Sequence, residues 1–385
     1  MSEELGAFAG QLVGYRRHFH QHPELSLEER ETAAFIEREL RSFGFDAIRT
    51  GVGKTGILAT LAGGRPGPVT LLRADMDALP VAELNDAPYK SRTAGVMHAC
   101  GHDGHMAILL TSARILRERA SEIPGTLVFC FQPGEEGYAG NKLMIDDGAL
   151  ENPHVNRTVA LHLYSGLDVG RVGVRDGPFF ASSDRFEIEL TGKGGHGAMP
   201  QYAIDPVVGA AHLIALLQSV VSREVAPQQP VVVTVGSLQT GTTFNVIPER
   251  ASLQGTVRAF DDGVRKELPE RIERIVAGLA QAMRLEYRFA YHFVYPPTVN
   301  DGEVNDVVRD VAREAVGEDL VDPHETVMWS EDMSFMQERR PGAYFLIGSR
   351  GPDRGRASQH SAHFDIDERA LEVGLKMMVG IALHG

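Results

Sequence analysis

Residues 184–192, DRFEIELTG, mark the point where the pattern of this chain changes. From there the apolar periodicity reads as a strand, a long helix (205–225, DPVVGAAHLIALLQSVVSREV), two strands (230–241, PVVVTVGSLQTG, and 251–261, ASLQGTVRAFD), a second helix (269–284, PERIERIVAGLAQAMR) and a last strand (285–293, LEYRFAYHF). The order β-α-β-β-α-β is the ferredoxin-like arrangement, an α+β unit able to stand as its own small domain.

On either side the pattern is different. Upstream, short apolar runs recur: TGILATLAG (55–63), PVTLLRADMDALP (68–80), GTLVFCFQPGEEG (125–137) and RTVALHLYSG (157–166), with the amphipathic AILLTSARILRERA (107–120) between the second and third. Strands alternating with helices predict an α/β sheet, at least partly parallel. Downstream of the paired prolines in VYPPTVNDGE (294–303) the same character resumes, with VNDVVRDVAREAV, GAYFLIGS and a final helix from DERALEVGLKMMVGIAL. The reading is one α/β domain formed by residues 1–183 and 296–385, interrupted by an inserted domain at 184–295. An early helix is expected in SLEERETAAFIERELRSF (26–43), where Ser26 and Glu29 have capping-box spacing and Ala33, Ile36, Leu40 and Phe43 share a face.

At 385 residues, 43% hydrophobic and 23% charged, the chain has the composition of a globular protein too long for one core. No apolar run approaches membrane-spanning length by inspection. The first residues, MSEELGAFAG, carry acids where a secretory leader has basic residues, so a cytoplasmic location is expected. A formal charge of −14 argues against nucleic acid and anionic membranes as partners and directs attention to a small molecule. Two cysteines cannot build a disulfide framework, and Cys130 lies in the apolar GTLVFCF. Cys100 is the thiol of interest.

That thiol stands in MHACGHDGHMA (97–107) among three histidines. Cys100 and His102, two apart, diverge on a helix but converge in a loop, and Asp103 is positioned to cap a helix starting at Gly104. Thiolate with imidazole suits zinc and other transition metals, while surface or hydrogen-bonding histidines are the plainer alternative. In FCFQPGEEGYAG (129–140) an apolar strand ends in a Pro-Gly turn that delivers Glu135 and Glu136 where α/β sheets place ligands. A hydrolytic metal centre needs two acids with separate duties, one on the metal and one free to accept a proton. His162 interrupts an apolar strand, His360 lies in a polar loop with His363 nearby, and Asp75 and Asp77 alternate at a strand end.

Together, RADMDALP, MHACGHDGHMA, FQPGEEG, LHLY, TGKGGHGAMP, FNVIPE and QHSAHFDID occur in an order that resembles the M20 metallopeptidase and amidohydrolase superfamily, in its hippurate hydrolase or N-acyl-L-amino acid amidohydrolase branch. The resemblance implies an α/β fold: a mixed-sheet, metallopeptidase-like catalytic domain carrying an inserted ferredoxin-like lid that mediates homodimerisation. It implies that Cys100, His102, Glu136, His162 and His360 bind one or two divalent metal ions, Mn2+ or Zn2+ first and Co2+ or Ni2+ next. Glu135 would be the general base for a metal-activated water, and Asp77 the assisting aspartate. His196 would help hold the reacting carbonyl, with Asn245 and Arg258 as contacts to the carboxylate of an N-acyl amino acid. Two departures stand out: Trp329 replaces a glycine common before S-E-D, and Ala362 replaces the proline after H-S. Trp329 either reshapes the acyl pocket or packs in a core.

Other readings are weaker. GVGKTG (51–56) lacks the first glycine of a phosphate loop and runs into a strand, GKGGHG lacks a dinucleotide-binding context, and no G-x-S-x-G elbow occurs. A non-catalytic metal-binding protein using the same ligands is the alternative function, from which an unligated Glu135 would distinguish an enzyme. A redox role for Cys100 lacks a resolving partner.

Overall fold

In the computed structural model, which describes residues 5–384, the five apolar runs of the α/β domain become strands of an eight-stranded mixed sheet, whose other three, Ile48–Val52, Val172–Val174 and Val321–Pro323, are too short to leave a pattern. Its spatial order is Ile48–Val52, Gly56–Ala62, Pro124–Gln132, Arg65–Asp75, Arg157–Asp168, Gly342–Arg350, Val172–Val174, Val321–Pro323. The four strands at its centre run parallel, from Pro124–Gln132 across to Gly342–Arg350. Their near-continuous burial explains why they read as apolar runs rather than alternating ones. The register Asp75↔Gln132 and Arg73↔Ala160 brings Asp75, His162 and the turn after Gln132 to one edge. The helix His102–Glu118 is buried along most of its length, as expected for an element enclosed on all sides. A Cβ on its Gly104 would lie 2.3 Å from Leu163 Cδ1, so glycine permits the close approach of helix to strand.

The second unit has its own core. A four-stranded antiparallel sheet, ordered Val231–Thr240, Arg250–Ala259, Ser183–Thr191, Glu286–Tyr295, packs beneath the helices Pro206–Ser219 and Asp262–Met283. Phe186, Ile188, Leu190, Leu213, Leu217, Leu268, Ile272 and Val276 fill that core. Two local readings are corrected here. The second helix starts at Asp262, where Asp261 caps it by accepting from Val264 N–H at 2.8 Å, so Pro269 lies inside the helix. And one helix, Pro206–Glu224, is long and apolar enough by composition to span a membrane; Leu213, Leu217 and Val220 point it into the core.

The larger unit comprises residues up to Gly177, Val299–Glu325 and those from Asp332 onward, and the smaller one Pro178–Thr298 with Thr326–Glu331. The smaller unit is therefore wider than the 184–295 expected. Backbone bonds from Ala181 N–H to Val327 O and from Val327 N–H to Phe179 O tie in the distant segment, and the Trp329 ring stacks on Phe180 at 5.3 Å. A bridge between residues so far apart leaves no local pattern.

Candidate active site

The loop that carries Cys100 turns into its helix at Gly101, whose φ of +100° favours glycine, and the helix begins at His102. Asp103 does not cap it. Its carboxylate instead accepts from Arg16 Nε at 2.8 Å and lies 2.8 Å from His20 Nδ1. A charge-assisted bond to a fully buried guanidinium outweighs a helix cap, which settles the competition. Ser26 and Glu29 are diverted in the same way from their expected capping box. The helix Arg30–Ser42 has Glu29 as its N-cap residue without a side-chain cap, and Glu24 accepts from Glu31 N–H and Thr32 N–H instead. Ser26 Oγ donates to Asp77 Oδ2 at 2.7 Å, while Glu29 accepts from Leu27 N–H, Gly134 N–H and Thr55 Oγ1.

Around this scaffold the structure brings six of the expected side chains together within the larger unit. Cys100 Sγ lies 3.4 Å from His162 Nε2, and His360 Nε2 lies 3.0 Å from Glu136 Oε1. Donor atoms of Cys100, His102 and His162 lie within 4.8 Å of one another, as do those of Cys100, Glu136 and His360, and those of His102, Glu135 and Glu136. His102 and His162 each direct Nδ1 at a main-chain carbonyl, of Asp77 and Leu163 respectively, both at 2.9 Å. A carbonyl only accepts, so Nδ1 carries the proton and Nε2 faces the cluster. His360 adopts a left-handed φ of +64° and is pinned by its N–H to Ala99 O at 2.7 Å, beside Cys100. That conformation is unfavourable for a non-glycine residue and persists only where surrounding contacts enforce it. Asp77 lies behind the group: Oδ2 accepts from Ser26 and from Glu136 N–H at 3.0 Å, and Oδ1 is 3.2 Å from His102 Nδ1.

The electrostatics follow from four carboxylates, Asp75, Asp77, Glu135 and Glu136, and a thiol gathered in one place. Burial, then Glu136, Glu135 and Asp75, pushes the Cys100 thiol well up. Burial pulls His102 down, but Asp75, then Asp77 and Glu136, overrides it and holds the imidazole at about 10. Burial lowers His162 well below the usual imidazole range, and its neighbour His105 adds to that. His102 Nε2 is buried without a hydrogen-bond partner, and Glu136 Oε1 faces the His360 imidazole at 3.0 Å. Mixed sulfur, nitrogen and oxygen donors with an unsatisfied ring nitrogen among them fit a divalent transition-metal ion.

His196, Asn245 and Arg258 belong to the smaller unit. His196 and Asn245 are exposed neighbours there: Gly197 N–H donates to Asn245 O, and Ala198 N–H donates to His196 Nδ1 at 3.0 Å. Arg258 is half-buried, donating to Ser183 Oγ and Thr256 Oγ1 at 2.7 Å. The structure also adds residues that the sequence reading left unassigned. Asp75 joins the centre with Oδ2 3.6 Å from His102 Nε2. Behind it the buried Arg73 donates to Asp75, Gln132 and Asp332. The alternation in RADMD was the available signal for Asp75, whereas Asp332 is the acid of the S-E-D after Trp329, whose place behind Arg73 no local pattern gives.

The chain matches the model of peptidase family M20/M25/M40 over residues 71–384. It is 41% identical over 367 residues to the N-acetyl-L-cysteine deacetylase of Bacillus subtilis (strain 168), covering 95% of this chain and 86% of the relative. With the N-acyl-L-amino acid amidohydrolase of Geobacillus stearothermophilus it shares 42% identity over 293 residues, 76% of this chain and 78% of that protein. Among solved structures, the Bacillus subtilis YXEP protein, described as a dinuclear metal binding peptidase from the M20 family, matches with a TM-score of 0.86 at 34% identity over 98% of each chain. A family match that reaches all three stretches of the larger unit, with relatives alike over most of their length, establishes that this chain belongs to peptidase family M20/M25/M40.

Proposed function

We propose that this hydrolase cleaves the amide bond of N-acyl-L-amino acids, with Cys100, His102, Glu136, His162 and His360 holding one or two divalent metal ions, Mn2+ or Zn2+ foremost. The observation that carries the reading is the convergence of these five groups, with Glu135 alongside them in the donor set of His102 and Glu136. The deacetylase and amidohydrolase names of the relatives support the substrate class.

A bound ion of this kind polarises a carbonyl oxygen and lowers the pKa of water. The chain's own groups supply the rest. Glu135 takes the proton of the attacking water and returns it to the departing amine. Asp77 keeps His102 oriented through its carbonyl and steadies Glu136 through its carboxylate. His196 holds the reacting carbonyl, and Asn245 and Arg258 engage the free carboxylate of the substrate. The smaller unit pairs with that of a second copy, for which the exposed Phe244, Tyr202, Met199 and Val246 offer an apolar patch beside His196.

The test is a panel of N-acetyl, N-benzoyl (hippurate) and indole-acetyl amino acids, assayed for released amino acid after reconstitution with Mn2+, Zn2+, Co2+ or Ni2+. Hydrolysis abolished by chelator and restored by metal is expected. No release from any member with any metal would overturn the proposal.

A further inference from the structure

Of the three imidazoles in MHACGHDGHMA, His105 is the one whose ring nitrogens are both committed. Its Nδ1 lies 2.6 Å from Asp75 Oδ1, and its Nε2 accepts the Leu163 N–H at 2.9 Å. A carboxylate accepts and a backbone N–H donates, so the proton is on Nδ1 and the Nε2 lone pair is spent on Leu163. Nothing is left to ligate a cation, although Asp75, His102 and His105 place donor atoms within 4.8 Å of one another. The other oxygen of Asp75 accepts from Arg73 Nη1 at 2.8 Å, and Arg73 is itself fixed by Gln132 Oε1 at 2.8 Å and Asp332 Oδ1 at 3.1 Å. All five side chains are buried.

On its other side His105 meets His162. Leu163, whose N–H it accepts, also supplies the carbonyl that takes the Nδ1 proton of His162 at 2.9 Å. The two rings pack edge to face, 4.6 Å apart at 74°. We infer that His105 is a positioning residue: Asp75, clamped by Arg73, holds its ring, and the ring sets the aim of His162 Nε2 through Leu163. The chain Arg73–Asp75–His105–Leu163–His162 thus links the buried ion pairs behind the sheet edge to one ligand. Outer-shell partners of this kind fix the tautomer and direction of a ligating imidazole. The inference rests on His162 being a metal ligand, as proposed above.

The experiment uses full-length wild type, His105→Gln and Asp75→Asn, each loaded with Co2+. Five quantities are read: Co2+ per chain by elemental analysis, the visible Co2+ bands, the rate of Co2+ loss to EDTA, and kcat and KM on the best substrate of the panel. For His105→Gln the expected result is the wild-type number of ions per chain, shifted bands and metal loss about 10–100-fold faster. kcat should fall with KM little changed, because the ligand and not the substrate pocket has been disturbed. Asp75→Asn should move the same readouts in the same direction, and since Asp75 Oδ2 also lies 3.6 Å from His102 Nε2, His105→Asn decides the matter if His105→Gln does not fold. One ion fewer per chain in His105→Gln would make His105 a ligand and overturn the inference. Wild-type bands and wild-type metal loss in a folded variant would also overturn it. Wild-type protein that takes up no Co2+ would overturn the metal centre itself, and this inference with it.

Discussion

Glu29 accepts the backbone N–H of Gly134 at 2.9 Å, tying the start of the helix Arg30–Ser42 to the turn that presents Glu135. The same buried carboxylate also accepts from Leu27 N–H and Thr55 Oγ1. Burial raises its pKa, against the pull of the Thr55 hydrogen bond, so ionised Glu29 costs the folded state something at neutral pH. A neutral amide keeps the geometry without that cost. Glu29→Gln is therefore expected to stay close to wild type in urea denaturation at pH 7. Glu29→Ala, which strands buried donors, should lose on the order of 3 kcal/mol and lower kcat. Equal losses in the two variants would refute the assignment.

Glu135 is expected to act on protons rather than on the metal. Glu135→Gln should retain wild-type metal content by elemental analysis while kcat drops by about 10²–10⁴. Lost metal with turnover recovered on adding more would mean that Glu135 and Glu136 have exchanged duties.

Metal uptake should release protons. Without a cation His102 is held at about 10 by Asp75 and its fellow carboxylates against the effect of burial, and the Cys100 thiol is pushed up by burial and then Glu136. Both must lose a proton to bind metal, so affinity rises with pH across the neutral range. Calorimetric titration in two buffers of different ionisation enthalpy should give different heats, and identical heats would contradict the prediction. Metal at 100 times its Kd should stabilise the fold by about 2.7 kcal/mol, seen as a Tm that chelator lowers. Cys100→Ala should shrink that Tm shift.

The pair of Arg16 and Asp103 predicts a pH dependence of stability. Burial raises the Asp103 carboxyl, but Arg16 first and then His20 outweigh it and hold the group well below the usual carboxylate range. The folded-state pKa lies below the unfolded one, so the stabilisation is complete above about pH 4 and is lost as pH falls toward the folded value. Asp103→Asn should cost about 3–5 kcal/mol at pH 7, because it removes the more deeply buried of two anions that each pair with the buried Arg16 guanidinium at 2.8 Å. The gap to wild type should narrow at pH 3, as measured by urea denaturation at both pH values. A constant gap would show that the ion pair is not the source.

The exposed patch of the smaller unit predicts self-association. Phe244 is 99% exposed and Tyr202 69%, apolar surface that pairing with a second copy would cover. Phe244→Glu should convert a dimer to a monomer in light scattering at micromolar concentration. An unchanged mass would remove Phe244 from the interface.

The sequence by itself determined the long strands of both units, because a buried parallel strand and an amphipathic helix each leave a repeat only a few residues long, whereas three-to-five-residue strands such as Ile48–Val52 and Val172–Val174 do not. Their order was enough to separate the ferredoxin-like run after Asp184 from the α/β pattern around it. The motifs also led to the family, since short stretches such as FQPGEEG and QHSAHFDID keep their chemistry in linear order.

Competition among partners was decided only by the tertiary structure. Ser26, Glu29 and Asp103 all carry helix-capping side chains, yet each turns away from its own helix toward a group brought in from elsewhere: Asp77, Gly134 and Arg16. Local spacing ranks these residues by the bonds that neighbours offer, whereas a buried charge or an unpaired N–H from a distant segment offers a stronger bond. The same reason explains the segment Thr326–Glu331, recruited by backbone pairing to Phe179 and Ala181, and the different fates of His102 and His105. Both histidines stand in one motif, but only the fold reveals that Asp75 and Leu163 have already claimed the nitrogens of the second.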